Sequence, residues 1–94
     1  MSRKVKCAII GPGNIGTDLL FKLKRSDFLE VAYVVGVKHS SGIEIAQSFG
    51  IPTTIEGIQP ILDDSSIKIV FDCTGAGPHE VHAPLLKKAG KIAI

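Results

Sequence analysis

The sequence predicts an α/β fold in which a parallel sheet is wound on both faces by helices. Three observations lead there. Short runs of branched apolar residues alternate with amphipathic segments along all 94 residues, and the joints between them are too long for hairpins. The runs are apolar almost throughout, as expected of strands covered on both faces. The first of them, Val5–Ile10, leads straight into Gly11-Pro12-Gly13-Asn14-Ile15-Gly16, a G-x-G-x-x-G loop that opens the next amphipathic segment.

Val5–Ile10 is the first strand. After the glycine loop, Ile15, Leu19, Leu20 and Leu23 recur at helical spacing and are the expected inward face. Asp18 and Lys22 form an i,i+4 pair outside, and Lys22, Lys24 and Arg25 gather at the negative helix end. Ser26-Asp27 breaks the pattern. Leu29–Val37 is the second strand. Ser40 or Ser41 caps a second helix with Ile43, Ala46 and Phe49 inward, ended by Gly50. Ile51–Thr54 is a short third strand. Thr54 is then a candidate cap for one or two turns holding Ile58, Ile61 and Leu62, despite Pro60. Asp63-Asp64-Ser65-Ser66 is a polar loop and Ile67–Asp72 the fourth strand. A small-residue loop, Thr74-Gly75-Ala76-Gly77-Pro78, precedes a last helix with Val81, Leu85, Leu86 and Ala89 inward. Pro84 should kink that helix or mark a restart. Gly90 ends it, and Lys91–Ile94 begins a fifth strand.

A chain of this length forms one domain and buries about 65% of its unfolded surface. With 45% hydrophobic and 21% charged residues it reads as compact rather than disordered. A net charge of +2, with scattered Lys and Arg and few aromatics, argues against nucleic acid. The basic start, Met1 to Lys6, is followed by an apolar run that stops at Gly11, too short for a signal-peptide core or a membrane span, so the expected location is the cytoplasm. No repeat or linker divides the chain. Because it halts inside a strand, it reads as part of a longer protein; the alternative is a complete small domain with an exposed edge strand.

Each glycine of the loop has a physical task in a strand–turn–helix that holds a dinucleotide. Gly11 makes the tight turn, Gly13 lacks the Cβ that would keep a pyrophosphate off the backbone, and Gly16 lets the helix pack close. The first turn of the helix offers unpaired N–H groups and positive dipole to the phosphates. The ligand edge of such a sheet is the carboxyl edge, to which the loop after the fourth strand also belongs, so Thr74, Gly75 and Ala76 are candidates to line the path to the nicotinamide. An NAD-binding protein usually places Asp or Glu at the end of the second strand. Here Gly36-Val37-Lys38-His39-Ser40-Ser41 holds no carboxylate, and Lys38 with the two serines offers charge and hydroxyls to a 2′-phosphate. NAD is the expected cofactor and NADP remains open. Cys7 and Cys73 read as packed thiols in a reducing compartment, with a disulfide between neighbouring strands as the alternative. Cys73 with His79 and His82 nearby has the elements of a nucleophile, but nothing local supplies a lowered pKa and a base, so the packed reading is preferred. His79 and His82, at i,i+3, lack a third metal ligand and read as a surface pair; Asp72 reads as a local turn acceptor.

The stretch Lys6-Cys7-Ala8-Ile9-Ile10-Gly11-Pro12-Gly13-Asn14-Ile15-Gly16-Thr17-Asp18-Leu19 closely resembles the opening of the CoA-acylating acetaldehyde dehydrogenases, and its most specific part runs from Gly13 to Leu19. Val70-Phe71-Asp72-Cys73-Thr74 and the helix after it look like that family's fourth-strand segment. The resemblance covers essentially the whole chain. It implies a two-domain enzyme that converts acetaldehyde, CoA and NAD to acetyl-CoA and NADH, beside a 4-hydroxy-2-oxovalerate aldolase, in degradation of aromatic compounds. It makes Gly11, Gly13, Asn14, Ile15 and Gly16 the NAD loop of a Rossmann-type domain over residues 1–94. Pro12 stands where such enzymes commonly have Ser, removing an N–H and a hydroxyl from the phosphate cradle. Lys38 stands where an acidic residue is common. The family's nucleophilic Cys and acyl-binding domain would follow residue 94, so Cys73 does not inherit the nucleophile's role. In the whole enzyme a thiolate would attack the aldehyde, a hydride would pass to the nicotinamide, and CoA would take up the thioester.

Two other readings share these residues. The chain fits the cofactor domain of a semialdehyde dehydrogenase or a dihydrodipicolinate reductase, which a downstream Cys would separate from the first reading. It also fits a non-catalytic nucleotide sensor, although such domains usually keep the acidic residue that Lys38 displaces.

Overall fold

A computed structural model describes residues 4–94, with the side chain of Ala76 outside the description; the basic start at Met1–Arg3 lies outside it too. Five strands, β1 (Val5–Ile10), β2 (Leu29–Val35), β3 (Thr53–Thr54), β4 (Ile67–Asp72) and β5 (Ile92–Ala93), form one sheet in the order β3-β2-β1-β4-β5. Every pairing is parallel. Four helices make the crossovers: α1 (Asn14–Lys24), α2 (Ser41–Ser48), α3 (Gln59–Asp63) and α4 (Ala76–Lys88). No helix among the described residues is long and apolar enough to cross a membrane.

Alternate side chains of β1 feed two cores, one on each face of the sheet. Cys7 and Ile9 pack with Val34 against Leu20, Leu23, Ile43 and Ala46 of α1 and α2. Ala8 and Ile10 pack with Val35, Ile67 and Val70 against Ile58, Ile61 and Leu86 from the α3 and α4 side. This is the doubly wound arrangement expected from the sequence. Its strand order reverses direction between β1 and β4. Ile10 pairs with Val35 on one side and with Asp72 on the other, so β1, β2 and β4 end level. Gly11, Gly36 and Cys73 therefore leave the sheet side by side.

Several local expectations are corrected. Ile15 is 78% exposed; Leu20, Leu23 and Gly16 are the buried face of α1. Strand β2 ends at Val35 rather than Val37, whose side chain is exposed once the backbone turns at Gly36. Strand β3 is confined to Thr53–Thr54. Of the two serines, Ser40 is the cap, its Oγ accepting from the Ile43 N–H at 3.3 Å. Thr54 caps nothing: its Oγ1 accepts from the Glu56 N–H, and α3 starts after Ile58 with Pro60 in its first turn, where a missing N–H costs little.

Helix α4 is the largest departure. It begins at Ala76, two residues before the expected loop ends, and runs unbroken through Pro84. Only Leu86 of its expected inward set is buried. Val81 is 65% and Leu85 44% exposed, and Ala89 is exposed beyond the last turn. The inward stripe is instead His79, His82, Ala83 and Leu86, spaced i, i+3, i+4, i+7. This phase predicts that Leu86→Ala lowers stability by about 2–5 kcal/mol, whereas Val81→Ala stays within about 0.5 kcal/mol. Urea unfolding of both variants checks it, and equal losses would contradict the described packing.

Candidate cofactor-binding site

The glycine loop is built by three backbone demands. Gly11 takes φ +80°, a conformation that residues with a Cβ rarely adopt, and its N–H donates to the Val35 carbonyl at 2.7 Å. A Cβ there would also come within 2.8 Å of the Thr74 methyl carbon. At Gly16 a Cβ would sit 2.5 Å from the Gly11 carbonyl oxygen, so the absent side chain is what lets α1 close on the loop. Gly13 is different in kind. Its backbone is extended, and a Cβ would meet nothing within 4 Å, so its α-carbon faces open space.

The N–H of Gly13 donates to the Gly11 carbonyl at 2.9 Å, and the first bonded amide of α1 is that of Thr17, donating to Gly13 at 2.8 Å. The amides of Asn14, Ile15 and Gly16 lie between these and have no helical acceptor before them. They carry the positive end of the α1 dipole.

Beside the loop, a cleft of about 330 Å³ is lined by Gly11, Pro12, Gly13, Gly36, Val37, Lys38, Ser40, Cys73, Thr74 and Pro78. Asn14 lines an adjoining groove that shares Pro12, Gly13 and Ser40 with it. The structure thus brings Gly11, Pro12, Gly13, Lys38 and Thr74 to one cleft, with Asn14 next to it. Ile15 and Gly75 do not line the cleft, and Gly16 is buried beneath the loop; Gly75, at φ +101°, precedes α4. Ala76 opens α4, its side chain lying outside the described residues.

Two supports of the loop were not read from the sequence. The carbonyl of Pro12 accepts from the Thr17 hydroxyl at 3.2 Å. The first turn of α2 presses on the same carbonyl, so that a Cβ on Gly42 would lie 2.1 Å from it. A glycine inside the first turn of a helix, where it is disfavoured, was the available signal.

The other wall carries a buried carboxylate. The side chain of Asp72, at the tip of β4, is fully buried. One oxygen accepts from the Thr74 N–H at 3.1 Å and from the Thr74 hydroxyl; the other meets Nδ1 of His79 at 3.1 Å and Nδ1 of His82 at 2.9 Å. Asp72 is a turn acceptor, as expected, but the histidines are not a surface pair: α4 turns both toward the strand tip. Burial pushes the Asp72 carboxyl up, and the hydrogen bonds from Thr74, His82 and His79 outweigh it, leaving the group below its ordinary value.

Both cysteines are free. Burial, with a smaller push from Glu30, raises Cys7 to about 11, and burial followed by the Asp72 charge raises Cys73. Neither environment activates a thiolate.

Comparisons with known proteins agree with this geometry. The model of the oxidoreductase family with an NAD-binding Rossmann fold matches residues 5–94. The acetaldehyde dehydrogenase of Carboxydothermus hydrogenoformans is 56% identical over 95 residues, taking in 100% of this chain and 32% of that protein. That of Desulfitobacterium hafniense is 53% identical over 94 residues, with 98% and 32% covered. The chain thus spans about a third of the length of these curated relatives. Among solved structures, GenD2 from gentamicin A biosynthesis in complex with NAD superimposes with a TM-score of 0.88 at 25% identity, over 99% of this chain and 26% of that one. An NAD-binding protein from Listeria innocua gives 0.81 at 25% identity, over 97% and 26%. Because that family model matches residues 5–94, nearly the whole chain, the chain belongs to the oxidoreductase family with an NAD-binding Rossmann fold.

Proposed function

We propose that this chain is the NAD-binding portion, residues 1–94, of an acylating acetaldehyde dehydrogenase, a longer enzyme that converts acetaldehyde, CoA and NAD to acetyl-CoA and NADH. The observation that carries the reading is the row of free amides at Asn14, Ile15 and Gly16, beside a cleft where strand order reverses. The identity to acetaldehyde dehydrogenases supports the substrate. We further infer, from the resemblance of the Lys6–Leu19 and Val70–Thr74 segments to the acylating enzymes, a role in breakdown of aromatic compounds with a 4-hydroxy-2-oxovalerate aldolase as partner and, from the short apolar run before Gly11, a cytoplasmic location. The nucleophilic Cys belongs to the longer enzyme, since neither Cys7 nor Cys73 has a nucleophile's setting.

The residues present fit a dinucleotide. Gly13 leaves open space where any side chain would stand in the cleft mouth. The amides of Asn14, Ile15 and Gly16 would hold the pyrophosphate, with Gly11 and Pro12 shaping the turn. Lys38 and Ser40 would face the adenosine ribose. Thr74, Gly75 and Ala76 would flank the path to the nicotinamide. Bound there, NAD supplies a hydride acceptor; the chain itself binds, orients and shields it.

Calorimetric titration of NAD into the chain should show one binding site, and heat-silent mixing confirmed by fluorescence would overturn the proposal. Gly13→Val should weaken NAD at least about tenfold while leaving the melting temperature nearly unchanged, because the new side chain meets ligand rather than protein. With no carboxylate to repel a 2′-phosphate, NADP should bind within about tenfold of NAD, and Lys38→Ala should weaken NADP alone. Equal losses for both nucleotides would remove Lys38 from the ribose.

A further inference from the structure

The cleft's far wall depends on a residue that does not line it. Strand β4 ends at Asp72, and the chain must then turn sharply past Gly11 before α4 begins. Four donors converge on the buried Asp72 carboxylate: the N–H and hydroxyl of Thr74 on one oxygen, His79 and His82 on the other. A buried carboxylate with its lone pairs engaged in this way has a single orientation. An ionised carboxylate can only accept, so each imidazole must carry its hydrogen on Nδ1.

Thr74 is β-branched, and one bond fixes both of its branches. With its hydroxyl held by Asp72, its methyl lies against Gly11, within 2.8 Å of where a Cβ on that glycine would stand. The neighbouring Cys73 N–H is tied to the Ile10 carbonyl at 2.8 Å. A continuous line of contacts therefore runs from α4 through His79 and His82, Asp72 and Thr74 to the first glycine of the loop.

We propose that Asp72, gripped between His79 and His82, is a positioning residue of the cofactor cleft, holding the Thr74 wall against Gly11 through the Thr74 hydroxyl. This rests on the reading of the cleft as the dinucleotide site. If Asp72 only tied off the end of β4, breaking its bond to Thr74 would lower stability and leave the affinity of the folded protein unchanged.

Substitutions at Thr74 separate the two roles. Thr74→Ser keeps the hydroxyl for Asp72 but drops the methyl that meets Gly11, and should weaken NAD about threefold; Thr74→Val keeps the bulk, loses the donor, and should weaken NAD more, about tenfold. Asp72→Ala should match Thr74→Val; should it fail to fold, the Thr74 pair decides. Nitrogen-15 spectra of the parent should show both His79 and His82 hydrogenated at Nδ1, and an Nε2–H form of either would overturn the clamp whatever the affinities. Equal NAD affinity in the folded parent, Ser and Val chains would overturn the role of Asp72 while leaving the dinucleotide reading intact. A parent that binds no NAD removes that reading and this proposal together.

Discussion

Two loops must pass each other where β1 and β4 end side by side, and the contact of Gly11 with Thr74 is where they do so. Chain direction diverges there: the chain after β1 crosses to one face of the sheet and the chain after β4 to the other. A cleft opens between them because neither loop can fill the gap. The width of that gap is set by a glycine at φ +80° on one side and a threonine methyl on the other. A side chain at position 11 would meet both an unfavourable backbone conformation and an occupied space.

The loop itself is held from below and behind by two close backbone approaches and by the Thr17 hydroxyl. Gly16 brings α1 against the Gly11 carbonyl, and Gly42 brings α2 against the Pro12 carbonyl. Packing this tight leaves the loop few alternatives, since interiors at such density respond to a single added carbon. Pro12 fits the arrangement: it is buried, its carbonyl faces Thr17 and α2, and it has no N–H to leave unpaired.

The two walls of the cleft treat their polar groups in opposite ways. On the Asp72 side, a buried carboxylate has its donors supplied within the protein, as burial of a charge demands. On the α1 side, the amides of the exposed Asn14 and Ile15 and of the buried Gly16 have no acceptor within the helix. The first arrangement makes a fixed wall; the second leaves hydrogen-bonding capacity for an anion. Their adjacency is what turns a common fold into a candidate site.

The sequence by itself determined the order of elements, the parallel sheet and the identity of the glycine loop. Each is set by local pattern: continuous apolar runs at Val5–Ile10 and Ile67–Asp72, and glycines at fixed intervals between a strand and a helix. The caps were legible only to a neighbouring residue, since Ser40 and Ser41 offer the same hydroxyl. Tertiary structure decided which way α4 faces. Apolar periodicity points to Val81, Leu85 and Ala89, yet the strand tip beneath the helix presents a carboxylate, and the face that satisfies it carries His79 and His82. The need arises only when Asp72 is brought against residues seven and ten positions later, a proximity that no local period encodes. Gly42 is the same case: its lack of a side chain has meaning only once the Pro12 carbonyl stands where a Cβ would be.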